Sequence, residues 1–125
     1  ALNQSHELAF VTPATGEVQR LPVGAYPYTV VARDGKAWVS NWGGRRPGPN
    51  DPTDGVFPVI IDPRTGIPSS GTVMRIDIAS RKVDFEIETG LHPSALALSP
   101  AGDRLYIANA NSDSITVLNT ANGKT

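Results

Sequence analysis

The chain has 125 residues, 39% of them hydrophobic, and a formal net charge of −1. This composition excludes a disordered chain and a strongly basic nucleic-acid-binding domain. The absence of cysteine excludes disulfides and thiol chemistry, and no apolar run approaches the roughly 18 residues that a membrane helix needs. We therefore expect a folded chain without nucleic-acid binding or membrane insertion.

The first predicted element is a pair of strands at residues 8–12 and 17–22, joined by a turn at Thr15-Gly16. Residues 1–18 align without a gap with residues 108–125 at the other end of the chain. A chain that repeats itself at both ends belongs to a repeating structure. Residues 1–22 are therefore interpreted as the end of one repeat unit.

Residues 23–89 are predicted to form one complete unit, which contains an insertion. Short runs rich in β-branched residues predict four strands at residues 27–32, 36–41, 72–78 and 82–88. Asp34-Gly35 joins the first two strands, and this dipeptide is common where a hairpin turn needs positive φ.

The insertion, residues 43–70, is not explained by the repeat. Its many proline and glycine residues block regular strands, whereas the apolar segment 56–61 needs something to bury against. We interpret Trp42, Arg45 and Arg46 with this loop as a docking surface for another domain or an anionic ligand, because arginine presents a planar fork to carboxylate or phosphate. The alternative is a decoration that packs on its own unit and leaves the arginines solvated.

The last element, residues 90–125, is predicted to start the next unit with strands at 94–98, 104–108 and 114–119. The first two are joined by Ser99-Pro100-Ala101-Gly102, where Pro100 presets φ and Gly102 takes the fourth position of a tight turn.

The repeat period indicates the architecture. Ile76 and Leu118 lie 42 residues apart, within the range of about 40 to 50 residues that a four-stranded propeller blade occupies. Helix-pair repeats need apolar residues at i, i+3, i+4 and i+7, which these short runs lack. The prediction is an all-β chain without helices: a β-propeller segment of four-stranded antiparallel blades, with one complete blade between two incomplete ones. Because closed propellers have about four to eight blades, we expect the remaining blades of a larger propeller, or other copies of the chain, as partners.

Residues 90–119, GLHPSALALSPAGDRLYIANANSDSITVLN, resemble the YVTN-type β-propeller repeat, whose consensus includes the strings SPDG and LYVAN. The complete unit is looser, with Trp38-Val39-Ser40-Asn41 where Tyr106-Ile107-Ala108-Asn109 stands later. The resemblance implies a bacterial protein and a parent propeller of about seven blades.

SNWGGRRP followed by DPRTG resembles a subset of such propellers that are joined to an alkaline-phosphatase-like phosphoesterase domain. That resemblance implies hydrolytic residues outside this chain.

The propeller resemblance also places His92 and the matching Tyr26 at the mouth of a central channel. The alternative for His92 is a loop hydrogen bond, since a lone histidine without neighbouring ligands is seldom a metal site.

Other candidate sites have less support. Residues 50–55 contain oxygen donors for calcium but lack the ligand spacing of an EF-hand, so Asx turns explain them better. No G-x-S-x-G, phosphate loop or dinucleotide fingerprint occurs. We therefore expect no catalytic residue, metal or cofactor in this segment.

Three functions remain open. The first is a non-catalytic scaffold or recognition segment of a larger bacterial protein. The resemblance of SNWGGRRP and DPRTG implies that this larger protein also contains a phosphoesterase domain. The second is a quinoprotein- or lactonase-like enzyme with its active site in the propeller channel. The third is a cell-surface structural array. Because the chain starts inside a repeat unit, we expect a periplasmic or secreted protein, with a cytoplasmic location as the alternative.

Overall fold

A computed structural model describes residues 1–125 and contains nine β-strands and no helix. This confirms the all-β prediction, and the bounds of every strand lie within about three residues of those predicted. The strands are β1 (Glu7–Thr12), β2 (Glu17–Pro22), β3 (Ala25–Arg33), β4 (Lys36–Gly44), β5 (Thr72–Asp77), β6 (Lys82–Glu88), β7 (Pro93–Leu98), β8 (Arg104–Asn109) and β9 (Ser114–Asn119). No helix long and apolar enough to cross a membrane is present.

The strands form three antiparallel sheets in which each strand pairs with its neighbours along the chain. The first sheet is β1-β2, the second is β3-β4-β5-β6, and the third is β7-β8-β9. All three predicted turns close hairpins, and the backbone N–H of Gly16 donates to the carbonyl of Thr12 at 2.8 Å. Asp34 and Gly35 have φ of 49° and 74°, and the backbone N–H of Gly102 donates to the carbonyl of Ser99 at 2.9 Å.

The four-stranded sheet lies between the other two and buries both of its faces. Successive residues of a strand point to opposite faces, so Val39 of β4 faces the first sheet and Trp38 faces the third. The core toward the first sheet consists of Leu8, Val23, Ala37, Val39 and Ile76. The core toward the third sheet consists of Trp38, Val73, Leu96, Leu105, Ile107 and Leu118. A fully buried aliphatic side chain of this size stabilises the fold by about 1.5–3 kcal/mol.

A glycine and an asparagine contact each other at the same place in the second and third sheets. A Cβ atom on Gly24 would lie 2.6 Å from Cγ of Asn41, and one on Gly90 would lie 2.7 Å from Cγ of Asn109. Because glycine has no Cβ atom, the asparagine amide group fits beside it. In the second sheet this amide joins β4 to β5, since Nδ2 of Asn41 donates to Oγ1 of Thr72 at 3.1 Å. Nδ2 of Asn109 makes the matching bond to Oγ of Ser114 in β9 at 3.2 Å. This contact explains why the two residues recur together in the sequence.

Strand β4 extends three residues past the end predicted at residue 41, because Gly44 still pairs with Ala25. The segment between β4 and β5 therefore runs from Arg45 to Gly71, and it includes the predicted insertion 43–70 except for Gly43 and Gly44. It contains no strand, only an isolated bridge between Ile61 and Pro68. Strand β3 starts earlier than predicted, with Tyr26 at φ 52° in an irregularity of the ladder.

Candidate functional site

A cavity of about 540 Å³ lies where β3 begins, β4 ends and the insertion folds back on them. Four of its lining residues are rings: Tyr26, Trp42, Phe57 and His92. Aliphatic side chains of the insertion, among them Val59 and Ile61, form another part of the wall. The polar side chains are Asn3, Gln4 and Asp54. Three of the five residues singled out from the sequence, Tyr26, Trp42 and His92, thus line one cavity.

Trp42 occupies the middle of a three-ring stack at the end of β4. Its ring lies 5.1 Å from that of Tyr28 on β3 and 4.5 Å from that of His92, and both pairs are within about 10° of parallel. Because His92 immediately precedes β7, the stack joins the second sheet to the third. The Nε1–H of Trp42 is buried without a hydrogen-bond partner.

Tyr26 is held by the loop that precedes β1. Nδ1 of His6 accepts a hydrogen bond from the backbone N–H of Tyr26 at 3.0 Å, and the two rings meet edge to face at 4.7 Å. Burial, and then the nearby charge of Arg46, lower the pKa of His6 below its usual 6.5. Tyr26 and His92, matched by the repeat, have almost the same left-handed backbone, with φ of 52° and 53°.

The two arginines lie outside the cavity and are used within the chain. Arg45 binds Asp51 through two nitrogens at 2.6 and 2.8 Å. This pair and the backbone N–H of Gly48 lower the pKa of Asp51 to about 2. Arg46 donates to the carbonyl oxygens of Val23 at 2.9 Å and His6 at 2.8 Å. The fork that the sequence suggested for an external anion is occupied by the protein itself.

Asp54 starts a turn that carries the insertion into the cavity wall. Its Oδ1 accepts the backbone N–H groups of Val56 and Phe57, each at 2.9 Å. These bonds, that of Phe57 first, lower the pKa of Asp54 below its ordinary value. The contacts are those of an Asx turn, the interpretation favoured over a calcium loop for residues 50–55. No group of three or more His, Cys, Asp or Glu side chains is placed to hold a metal ion.

Sequence reasoning did not identify Asn3, Gln4, His6, Asp54 or Phe57 as parts of this site. The apolar segment 56–61 signalled that the insertion packs on something, and Val59 is indeed buried. Residues 3–6 gave no signal, because their contact with Tyr26 depends on how the first sheet lies against the second.

The chain matches no protein-family model, and no curated protein matches it.

Proposed function

We propose that this chain is a segment of a β-propeller built from YVTN-type repeats, and that it serves as a scaffold and recognition surface. The observation that carries the proposal is the exposure of residues that the repeat makes equivalent. Val73 and Ile115 hold the same position in β5 and β9, yet Val73 is fully buried and Ile115 is 67% exposed.

The difference follows from the neighbours of each sheet. Val73 faces the third sheet, whereas nothing covers the corresponding face of the third sheet. At the other end, Val11 matches the buried Ile76 and is 59% exposed. Both end faces thus present apolar side chains at positions that the middle sheet buries. The remaining blades of a larger propeller, or other copies of the chain, are the partners that would cover them.

The last turn of the chain supports the same repeat. Gly123 donates its backbone N–H to the carbonyl of Asn119 at 2.9 Å, as Gly16 does to Thr12 at 2.8 Å. The Gly16 turn leads into β2, the outer strand of the first sheet. The backbone N–H of Asn119 already donates to the carbonyl of Lys124 at 2.8 Å, the first bond expected of a fourth strand beside β9.

A recognition role, rather than catalysis, agrees with the contacts of the candidate groups. His92 stacks on Trp42. Both arginines are bound internally. The cavity beside Trp42 is the concave surface on which recognition is proposed. A phosphoesterase domain in the parent chain remains a proposal that rests on the SNWGGRRP and DPRTG resemblance.

Hydrolysis assays test the non-catalytic part of this proposal. We expect the chain to hydrolyse neither p-nitrophenyl phosphate nor bis(p-nitrophenyl) phosphate, with or without Zn²⁺, Mg²⁺ or Mn²⁺. The cavity lining contains no serine, threonine or cysteine nucleophile, and no group of three or more His, Asp or Glu side chains is placed to hold a metal ion. Metal-dependent turnover that disappears in His92→Ala but persists in His6→Asn, the matched control at the other histidine, would favour the channel enzyme instead.

A further inference from the structure

The cavity carries one feature that its apolar walls do not explain, the charge of Asp54. Asp54 is the only carboxylate among the lining residues, and no lysine or arginine lines the cavity. Its Oδ1 is used by the turn, whereas Oδ2 accepts no hydrogen bond within the chain. A carboxyl with the ordinary pKa of an aspartate is already ionised at neutral pH, and the turn lowers the pKa of Asp54 further.

Aromatic rings in the same cavity would attract a cation together with the carboxylate of Asp54. Phe57 is 55% exposed and makes no ring pair within the chain, so its faces are accessible. Tyr26 shares the lining with it. The faces of aromatic rings attract cations, and cages of such rings bind substituted ammonium groups.

We propose that this cavity binds a small organic cation, an ammonium group attached to an aromatic or aliphatic body. The ammonium group lies at Asp54, and the body packs against Phe57, Val59 and Ile61. The volume of about 540 Å³ is in the range of small-molecule sites, about 300–1,000 Å³. This inference rests on the proposed recognition role and specifies the chemistry of the ligand.

Three probes with one aromatic body and different charges test the inference: phenethylammonium, phenethyl alcohol and 3-phenylpropionate. Binding is followed by the indole N–H resonance of Trp42 in NMR titrations. The buried Trp38, the second of the two tryptophans, serves as the internal reference. We expect phenethylammonium to bind about tenfold more tightly than the alcohol, and the carboxylate to bind most weakly. Raising the ionic strength from about 0.01 M to about 1 M should weaken binding of the amine alone.

The variant Asp54→Asn removes the charge but keeps an oxygen that can accept the turn bonds. It should lower the affinity for the amine to that for the alcohol. Asp62→Asn is the matched control, since Asp62 also starts an Asx turn in the insertion, at 2.8 Å to the N–H of Arg64, but does not line the cavity. It should bind the amine as the wild-type chain does.

Equal affinities for amine and alcohol, or salt-insensitive binding of the amine, would overturn the cation inference and leave recognition in place. An Asp54→Asn variant that binds phenethylammonium as tightly as the wild-type chain would also overturn the cation inference and leave recognition in place. If none of the probes shifts the Trp42 resonance at millimolar concentration, recognition through this cavity fails as well.

Discussion

Arg46 connects the start of the insertion to two segments that precede it by more than 20 residues. Its guanidinium donates to the carbonyls of Val23 and His6, residues that are hydrogen-bonded to each other at one end of the first sheet. Such bonds have a structural effect that the residue type alone does not reveal, because an arginine in a glycine- and proline-rich loop equally suits an external anion.

Replacing Arg46 by alanine should lower the free energy of unfolding by about 1 kcal/mol, since two carbonyls lose a charged donor but gain water at this exposed site. Urea denaturation measures the change. Arg64→Ala is the matched control, because the Arg64 side chain is 87% exposed and has only a 3.6 Å contact with Asp62. A loss in Arg64→Ala as large as that in Arg46→Ala would contradict the assigned role.

His6 makes the attachment of Tyr26 dependent on pH. Nδ1 can accept the Tyr26 N–H only while that nitrogen carries no proton. The folded state lowers the pKa of His6 below 6.5, so the unfolded chain binds the proton more readily. The stability gained is fully present above about pH 6.5 and is lost as the pH falls through the folded pKa.

We therefore expect urea denaturation to show a small loss of stability between about pH 7.5 and pH 5.5. His6→Asn should abolish most of this dependence, because the asparagine oxygen can accept the same bond without titrating. Asparagine also tolerates the positive φ of 57° at this position. The interpretation is wrong if the variant and the wild-type chain lose stability in parallel.

At the scale of elements, the β7-β8 hairpin depends on a left-handed backbone. Gly102 has φ of 79°, and a Cβ atom there would lie 2.9 Å from Nε of Arg33, whose guanidinium donates to the carbonyls of Ser99 and Pro100. Gly102→Val should lower the free energy of unfolding by about 1–3 kcal/mol, the cost of forcing a β-branched residue into that conformation.

Gly16→Val separates the cost of the positive φ from the cost of the contact with Arg33. Gly16 has φ of 72°, but no atom lies within 4 Å of its Cβ position. Chemical denaturation should show a smaller loss for Gly16→Val than for Gly102→Val. A change within experimental error for Gly102→Val would contradict the assigned turn.

The strands could be predicted from the sequence, whereas the insertion and the site could not. Alternating apolar residues and turn dipeptides such as Asp34-Gly35 act locally. The alignment of three copies of one unit also indicates the same strand positions in each copy. The insertion occurs once, and the bonds by which Arg46 attaches it to the rest of the chain join residues distant in sequence. Val23 lies 23 positions before Arg46, and His6 lies 40 positions before it. Sequence reasoning found Tyr26 and His92 through the repeat and Trp42 through its position beside the insertion, but not the cavity that they share with Asp54.

At the scale of the whole molecule, both end faces expose apolar side chains. The exposed apolar residues Val11 and Val18 pair across the first sheet, and Tyr106, Ile115 and Val117 lie together on the outer face of the third. Contiguous exposed apolar patches of this kind mark interaction surfaces. A lysine on either face would place a charge where another sheet is expected to pack.

Light scattering on the isolated chain tests the repeat-segment proposal most directly. The wild-type chain should have an apparent mass above that of one chain, rising over about a hundredfold range of concentration. The double variant Val11→Lys, Ile115→Lys should shift to the mass of a single chain. Val56→Lys should behave like the wild type, because Val56 is 75% exposed but lies on the insertion. A wild-type chain that stays monomeric throughout that range would contradict the proposal.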